Sequence, residues 1–150
     1  MRLRARLGFT VVAVLLVFAV TAFAADKGEA LRGAAETGDA DAQYNLGVMH
    51  YQGEGVAQDP KQAATWFRRA ADQGHAQAQF ALGLMYDKGY GVPQDPKQAV
   101  AWWRRAADQG FAQAQFTLGL MYYEGEGVAQ DYKEAAAEVE IGRASCRERV

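Results

Sequence analysis

The sequence has a single cysteine and a single serine, Cys146 and Ser145, and both stand near its carboxyl end. One cysteine cannot form an intramolecular disulfide, so packing alone must stabilise the fold. The rest of the chain lacks the serine hydroxyl and cysteine thiol that commonly serve as catalytic nucleophiles. The two histidines, His50 and His75, have no second ligand at a metal-binding spacing such as H-x-x-x-H. We therefore expect no catalytic residue, no metal and no cofactor.

The sequence also has little net charge. The formal net charge is −2, but residues 25–137 hold ten Lys and Arg against fifteen Asp and Glu, a balance of −5. The basic residues that hide this balance are arginines at the two ends of the chain. An acidic body argues against a nucleic-acid partner, which would need a basic face.

Strand signals are missing from residues 39–137, where neither β-branched runs nor strict alternation occur. This stretch has an internal repeat instead. The segment GEGVAQD occurs at residues 53–59 and 125–131, and its near copy GYGVPQD occurs at 89–95, each 36 residues from the next. No insertion breaks this register, which identifies a repeat protein.

Each repeat is predicted to form a pair of helices. In the first repeat, residues 39–52 carry apolar side chains around much of the helix, as expected for a helix packed between neighbours. Residues 59–74 follow, where Asp59 is a suitable N-cap, Pro60 suits the first helical position and Gly74 ends the helix. Since a helical hairpin cannot bury its apolar face alone, the repeats must stack. The sequence therefore predicts an all-α fold, an α-solenoid of helix pairs.

A glycine-x-glycine loop joins the two helices of each repeat. A phosphate cradle would need free amides at the start of the next helix, where Asp59 already provides a cap. A calcium loop would need closely alternating oxygen ligands, which GEGVAQD lacks. We therefore predict that Gly55, Gly91 and Gly127 only turn the chain, with positive φ angles.

The repeated pattern carries a family resemblance. It reads A-x-A-Q-[YF]-x-L-G-x-M-[YH], then G-x-G-V-x-Q-D, then A-x-x-W-[FW]-R-R-A-A-x-Q-G, and it resembles the Sel1-like repeat, a relative of the tetratricopeptide repeat. The resemblance covers residues 39–74, 75–110 and, in part, 111–137. It implies a right-handed α-solenoid and a binding role, often as an adaptor in signalling or envelope biology.

The N-terminus has the form of a secretory signal peptide. Three arginines precede an apolar run at residues 9–20, and small residues suit cleavage between Ala24 and Ala25. Residues 1–24 are thus interpreted as the signal, and residues 25–38 as an N-terminal capping helix. The alternative is an uncleaved membrane anchor, because the apolar stretch approaches about 20 residues, the length that spans a bilayer. Export would place the protein in the periplasm or outside the cell.

The repeat pattern breaks after Ala137. The period requires a tryptophan at the next position, but Glu138 stands there, and residues 138–150 follow neither the repeat nor an amphipathic pattern. Two interpretations remain, a degenerate capping helix or an off-pattern tail that is foreign to the protein. Because burial of unpaired charge is costly, we expect residues 141–150 to be loosely ordered.

The second helices carry tryptophans followed by arginine pairs. Trp66, Trp102 and Trp103 stand among recurring alanines, which predicts that they belong to the core. The arginine pairs are interpreted as a solvated helix face, partly paired with Asp72 and Asp108.

Positions that change in chemistry between stacked repeats are free to recognise a partner. We predict that such positions on the first helices and at their ends form a partner-binding surface: Asp41, Asn45, Tyr51, Gln52, Gln77, Asp87, Lys88, Gln113, Thr117, Tyr123 and Glu124. The alternative is that these are ordinary solvated positions.

These features favour an exported protein- or peptide-binding scaffold or adaptor in a bacterial envelope, without enzymatic activity. An envelope hydrolase or cell-wall-active enzyme is the alternative, since carboxylates could meet across repeats, although no local spacing indicates it. A third interpretation is a fragment of a longer repeat protein. Membrane contact is expected only through an uncleaved signal segment.

Overall fold

The computed structural model describes residues 28–147. The predicted signal peptide, its cleavage site at Ala24 and Ala25, and residues 148–150 lie outside this range. Between residues 28 and 147 the chain has no strand and forms helices α1 (residues 28–36), α2 (Ala40–Gln52), α3 (Pro60–Asp72), α4 (Ala76–Lys88), α5 (Pro96–Asp108), α6 (Ala112–Glu124) and α7 (Tyr132–Arg147). No helix in this described range is long and apolar enough to cross a membrane.

The helices stack in chain order. Helices α2 to α6 are each 13 residues long, and from α2 to α7 each helix packs against its neighbours in sequence. The result is a right-handed α-solenoid of antiparallel helix pairs with a 36-residue repeat, as the sequence predicted. The first helices of the pairs are α2, α4 and α6, and the second helices are α3, α5 and α7.

Local capping determines where the second helices begin. Asp59 accepts hydrogen bonds at Oδ1 from two backbone amides in the first turn of α3, at 3.0 and 3.1 Å. Pro60 occupies the first helical position, where a backbone donor has no partner within the helix. The same carboxylate geometry recurs at Asp95 and Asp131, which confirms the predicted caps.

The loop glycines turn the chain where the neighbouring backbone comes close. Gly55, Gly91 and Gly127 have φ angles of +73°, +74° and +72°, in the left-handed region that favours glycine. At Gly91 a Cβ atom would also overlap the carbonyl of Pro60 in the preceding repeat. Glycine is therefore required at this position by both conformation and space, and the predicted positive φ angles are confirmed.

A close contact between glycine and an aromatic ring joins the two helices of the second repeat. Leu82 on α4 is fully buried, and the next residue, Gly83, lies directly against the Trp103 indole of α5. A Cβ at Gly83 would overlap that ring. Trp103 also donates a hydrogen bond of 3.2 Å from Nε1 to the Phe80 carbonyl. The glycine thus lets a large ring reach the helix backbone and satisfy its single polar atom.

The core prediction holds for two of the three tryptophans. Trp102 and Trp103 are 8% and 1% exposed. Trp66 is half-buried and packs against Ala42 and Leu46 of α2. Trp66 therefore contacts the core, but part of its ring is exposed to solvent.

Buried glutamines tie successive helices together. Gln43 on α2 donates from Nε2 to the Ala35 carbonyl on α1 (2.9 Å), and its Oε1 accepts from Gln73 just after α3 (2.7 Å). Gln79 repeats this bridge between α3, α4 and the end of α5, at 3.1 and 2.7 Å. Gln115 donates to the end of α5 at 3.2 Å, but its buried Oε1 has no partner among the described residues. Each satisfied glutamine therefore fixes three consecutive helices.

Part of the off-pattern tail is helical. Helix α7 is continuous over 16 residues and extends beyond residue 141. That residues 141–150 are loosely ordered or frayed stays a prediction. Val139 lies against Gly119 of α6, and Gly142 is buried against the same helix. Both positions correspond in register to core residues of the earlier repeats, which explains why the helix continues. Whether residues 138–150 are native or foreign stays a prediction.

Glu138 occupies the position where the earlier repeats have tryptophan. Burial raises the pKa of its carboxyl above the ordinary value, and the nearby Glu134 and Asp108 raise it further, while Arg104 opposes them. The negative charge is thus disfavoured at a site that the repeat reserves for an apolar ring.

Candidate partner-binding surface

The first helices expose large apolar side chains. Five of these side chains are between 39% and 59% exposed: Tyr51, Leu84, Phe116, Leu120 and Tyr123. They lie on α2, α4 and α6. We call the exposed side of these three helices, together with the loops 53–59, 89–95 and 125–131, the first-helix face. Exposed apolar surface of this extent is typical of an interaction site.

A groove of about 490 Å³ lies on the first-helix face between α2 and α4. The buried side chains of Phe67 and Met85 line its inner part. Tyr51 and Tyr90 line its outer part, with ring centroids 5.6 Å apart in an edge-to-face arrangement. Leu84 completes the wall and is 40% exposed. A mostly apolar concavity with a few polar groups is suited to a bulky apolar side chain.

Lys88 and Asp87 form an ion pair at the edge of this groove. The distance from Lys88 Nζ to Asp87 Oδ2 is 2.8 Å, and the lysine side chain is 74% exposed. The hydrogen bond to Asp87 and then its negative charge raise the pKa of Lys88, and Glu126 contributes in the same direction. The lysine is therefore charged, with its charge largely balanced by its neighbour.

The predicted binding residues are found on this face, and nine of the eleven are exposed: Asp41, Asn45, Tyr51, Gln52, Gln77, Lys88, Gln113, Tyr123 and Glu124. The other two, Asp87 and Thr117, are half-buried. The groove between α2 and α4 brings together Tyr51, Gln52 and Lys88. That these residues bind a partner stays a prediction.

The remaining predicted residues are divided among other parts of the surface. Gln113 and Thr117 line a second concavity, of about 750 Å³, between α6 and α7. The Tyr123 ring lies 5.4 Å from Tyr132, edge to face. Asn45 and Glu124 line neither concavity. The predicted set thus lies on one exposed face that has more than one concavity, and it does not form a single compact site.

Sequence reasoning missed the apolar part of the surface. It selected positions that change in chemistry, whereas Val48, Leu84 and Leu120 stay apolar in all three repeats. The sequence did contain a usable signal, because the first helices are apolar on more sides than a single packed face needs. Tyr90 also offered a signal, because the other two loops carry glutamate at its position.

His75 joins two repeats through three contacts. Its Nδ1 accepts from the Ala78 amide at 3.1 Å, so the side chain caps α4. Its Nε2 lies 3.1 Å from Asp41 Oδ1 on α2, and its ring stacks on Tyr44 with centroids 4.8 Å apart. The side chain is 12% exposed and serves the junction. Within the described residues, no group of three potential ligands is arranged to hold a metal ion.

Aromatic side chains position the arginine pairs. Arg69 lies 4.6 Å over the Trp66 ring, and Arg68 donates a hydrogen bond to the Tyr86 hydroxyl. The second pair, Arg104 and Arg105, repeats both contacts on Tyr122 and Trp102. The ion pairs recorded between residues 28 and 147 do not involve these arginines. The predicted partial pairing with Asp72 and Asp108 is therefore wrong, because ring contacts hold the guanidinium groups instead.

A family model for the Sel1 repeat matches residues 40–75, 76–111 and 112–137. These ranges are shifted by one residue from the repeats read off the sequence, and the third match also ends at residue 137. No curated protein sequence matches the chain.

Solved structures share the fold. The crystal structure of c5321, described as a protective antigen present in uropathogenic Escherichia coli strains and displaying an SLR fold, is 46% identical with a TM-score of 0.75, over 77% of this chain and 25% of that one. A Sel1 repeat protein from Oxalobacter formigenes is 37% identical with a TM-score of 0.71, over 73% of this chain and 45% of that one. The cysteine rich protein B of Helicobacter pylori, at 20% identity and a TM-score of 0.61 over 77% and 87% of the two chains, shares the fold alone. The chain thus spans less than half the length of the first two.

Proposed function

The chain belongs to the Sel1 repeat family, and on this premise we propose that it is an exported protein- or peptide-binding scaffold that takes its partner on the first-helix face. Sel1 repeats generally mediate contacts between proteins. The proposal assigns the partner to a particular side of the solenoid and assigns the chain no catalytic step.

The groove between α2 and α4 is the observation that carries the proposal. Tyr51, Leu84 and Tyr90 are each at least 40% exposed and surround it. Such side chains lose solvent contact when a partner covers them, and buried aromatic anchors supply much of the binding energy in protein interfaces. The lining of this groove contains no carboxylate. A hydrolase of the glycosidase type needs a pair of them, so the groove supports binding.

Export is supported by the N-terminal sequence. Basic residues, an apolar run and small residues before Ala25 are typical of a signal peptide. Expression of the full chain in a bacterial host, with fractionation and N-terminal sequencing, tests the point. We expect a periplasmic product that begins at Ala25, and an uncleaved product in the membrane fraction would support the anchor instead.

Selection from a random peptide library on the immobilised full chain tests binding. We expect enriched peptides whose binding is lost in Leu84→Asp, because a charge in the groove opposes apolar contact. Ala101→Asp adds the same charge on the exposed side of α5 and serves as the matched control. Failure to enrich any peptide, or equal loss of binding in both variants, would contradict the proposal.

A further inference from the structure

The two sides of the solenoid carry opposite charge. Apart from the N-cap aspartates, whose carboxylates accept from backbone amides, the first-helix face carries five carboxylates and one lysine: Asp41, Glu54, Asp87, Glu124, Glu126 and Lys88. Each of α3 and α5 carries three basic residues and one aspartate, as in Lys61, Arg68, Arg69 and Asp72 of α3. The first-helix face is therefore negative, and the outer side of α3 and α5 is positive.

Contacts within the protein do not cancel this asymmetry. The arginines of α3 and α5 are held by tyrosine and tryptophan side chains, which leave their charge unneutralised. On the other side, Lys88 is balanced by Asp87, and Asp41 faces His75. The exposed carboxylates of Glu54, Glu124 and Glu126 have no ion pair within the described residues. A net negative potential remains over the face that holds the groove.

Tyr90 is a wall residue of this groove that the other repeats lack. The loops of the first and third repeats carry Glu54 and Glu126 at the corresponding position, and both form the same turn, with Gly55 and Gly127 at nearly the same φ as Gly91. Tyrosine is therefore not needed for the turn. Its ring is 41% exposed and extends the apolar wall beside Tyr51.

We propose that the first-helix face binds a cationic peptide segment, and that the groove between α2 and α4 takes one bulky apolar side chain of that segment. This inference rests on the proposed function and specifies the chemistry of its partner. The apolar side chain is removed from water between Tyr51, Leu84 and Tyr90, while flanking Lys or Arg residues face Glu54 and Glu126. The same positive charges are repelled by the arginines of the second helices, so the peptide is directed to one side of the solenoid.

Short synthetic peptides test the charge requirement. The probe is a fluorescein-labelled peptide that alternates lysine and glycine around a central leucine. Companion peptides replace the lysines by glutamine or by glutamate, or the leucine by alanine. Binding to the full chain is measured by fluorescence anisotropy at low and at physiological ionic strength. We expect the lysine–leucine probe to bind tightest, with an affinity that falls as salt rises, and each companion to bind at least about tenfold more weakly.

A matched pair of variants tests the groove. Tyr90 and Ile141 are both exposed, at 41% and 50%, but only Tyr90 lines the groove, whereas Ile141 lies on α7. We expect Tyr90→Ala to weaken the lysine–leucine probe by about threefold to tenfold, as for loss of one aromatic contact. Ile141→Ala should leave the affinity unchanged.

Each outcome of the peptide test decides between the two proposals. Equal binding of the glutamate or glutamine companion overturns the cationic partner and leaves peptide binding intact. Equal effects of Tyr90→Ala and Ile141→Ala overturn the groove as the anchor site. Absence of binding by the lysine–leucine probe overturns the inference of a cationic partner. The proposed function of peptide binding is tested separately, by the library selection.

Discussion

Gln73 donates a hydrogen bond of 2.7 Å from its Nε2 to Oε1 of Gln43, which lies 30 residues earlier on another helix. Gln43 is 5% exposed, so its amide must find partners inside the protein. The side-chain oxygen of Gln43 accepts from Gln73, and its side-chain nitrogen donates to Ala35, so both ends of the amide are satisfied. Because a buried polar network favours one arrangement over its neighbours, the bond between the glutamines fixes how α2 and α3 meet, and the bond to Ala35 fixes this pair against α1.

Removal of the donor in the second repeat should destabilise the array. Gln109→Leu leaves Oε1 of the buried Gln79 without the bond of 2.7 Å that it now accepts. The free energy of unfolding is expected to fall by about 1–3 kcal/mol, the cost of an unsatisfied buried acceptor. Urea unfolding followed by circular dichroism measures it. Gln98→Leu, at an exposed position of the same helix, is the control, and equal midpoints for the two variants would contradict the role of the bond.

Trp103 should be among the most sensitive core positions. Trp103→Ala removes a ring that is 1% exposed and that fills the space against Gly83. The expected loss of stability is about 3–5 kcal/mol. Trp66→Ala, at a half-buried ring, should cost clearly less in the same urea titration. Similar losses for the two variants would mean that burial does not govern these positions.

The loop glycines should differ in sensitivity although their φ angles are alike. Gly91→Ala places a Cβ on the Pro60 carbonyl, in addition to the strain of φ +74°. At Gly55 the nearest atom to a Cβ is the flexible Met49 Cε, at 3.2 Å, with φ +73°. We expect Gly55→Ala to cost about 1 kcal/mol and Gly91→Ala distinctly more. The melting temperatures of the two variants are compared, and equal values would show that the contact with the Pro60 carbonyl adds nothing to the loss of stability.

Glu138 should make stability depend on pH. Its folded-state pKa is raised from 4.5, so the folded state holds the proton more tightly than the unfolded state does. The wild-type protein therefore loses stability as the pH rises from below 4.5 through the folded pKa. Glu138→Gln avoids that loss and should be more stable than wild type at neutral pH, with the difference vanishing in acid. Melting temperatures across this pH range measure it, and a difference that persists in acid would exclude the ionisation as its cause.

The helix ends were predictable because their signals are local. Asp59 and Gly53 act through residues within about one turn of the chain, so their spacing alone indicates where α3 begins and α2 ends. The stacking followed from the repeat, since each unit presents the same apolar surface to the next. These features need no knowledge of distant contacts.

The exposed surface was less predictable because it depends on which side of a helix the neighbours cover. Leu82 and Leu84 are two positions apart on α4, yet Leu82 is fully buried and Leu84 is 40% exposed. An apolar pattern alone cannot distinguish them. Arg69 is a similar case, because its sequence neighbours favoured an ion pair and its ring contact with Trp66 arises from the rotamers that packing selects.

The glutamine bridges between helix pairs recur every 36 residues, and this regularity has a genetic consequence. Because the α3–α4 and α5–α6 junctions are made by equivalent residues, an in-frame duplication or deletion of one repeat would recreate the same junction at the new joint. Recombination between the repeated coding segments would thus change the length of the first-helix face without requiring new packing contacts. Tyr90 belongs to one repeat only, so the same event would multiply or erase a groove. Duplication of the first or the third repeat would therefore change the length of the array alone, whereas duplication or loss of the second would change its length and its groove together.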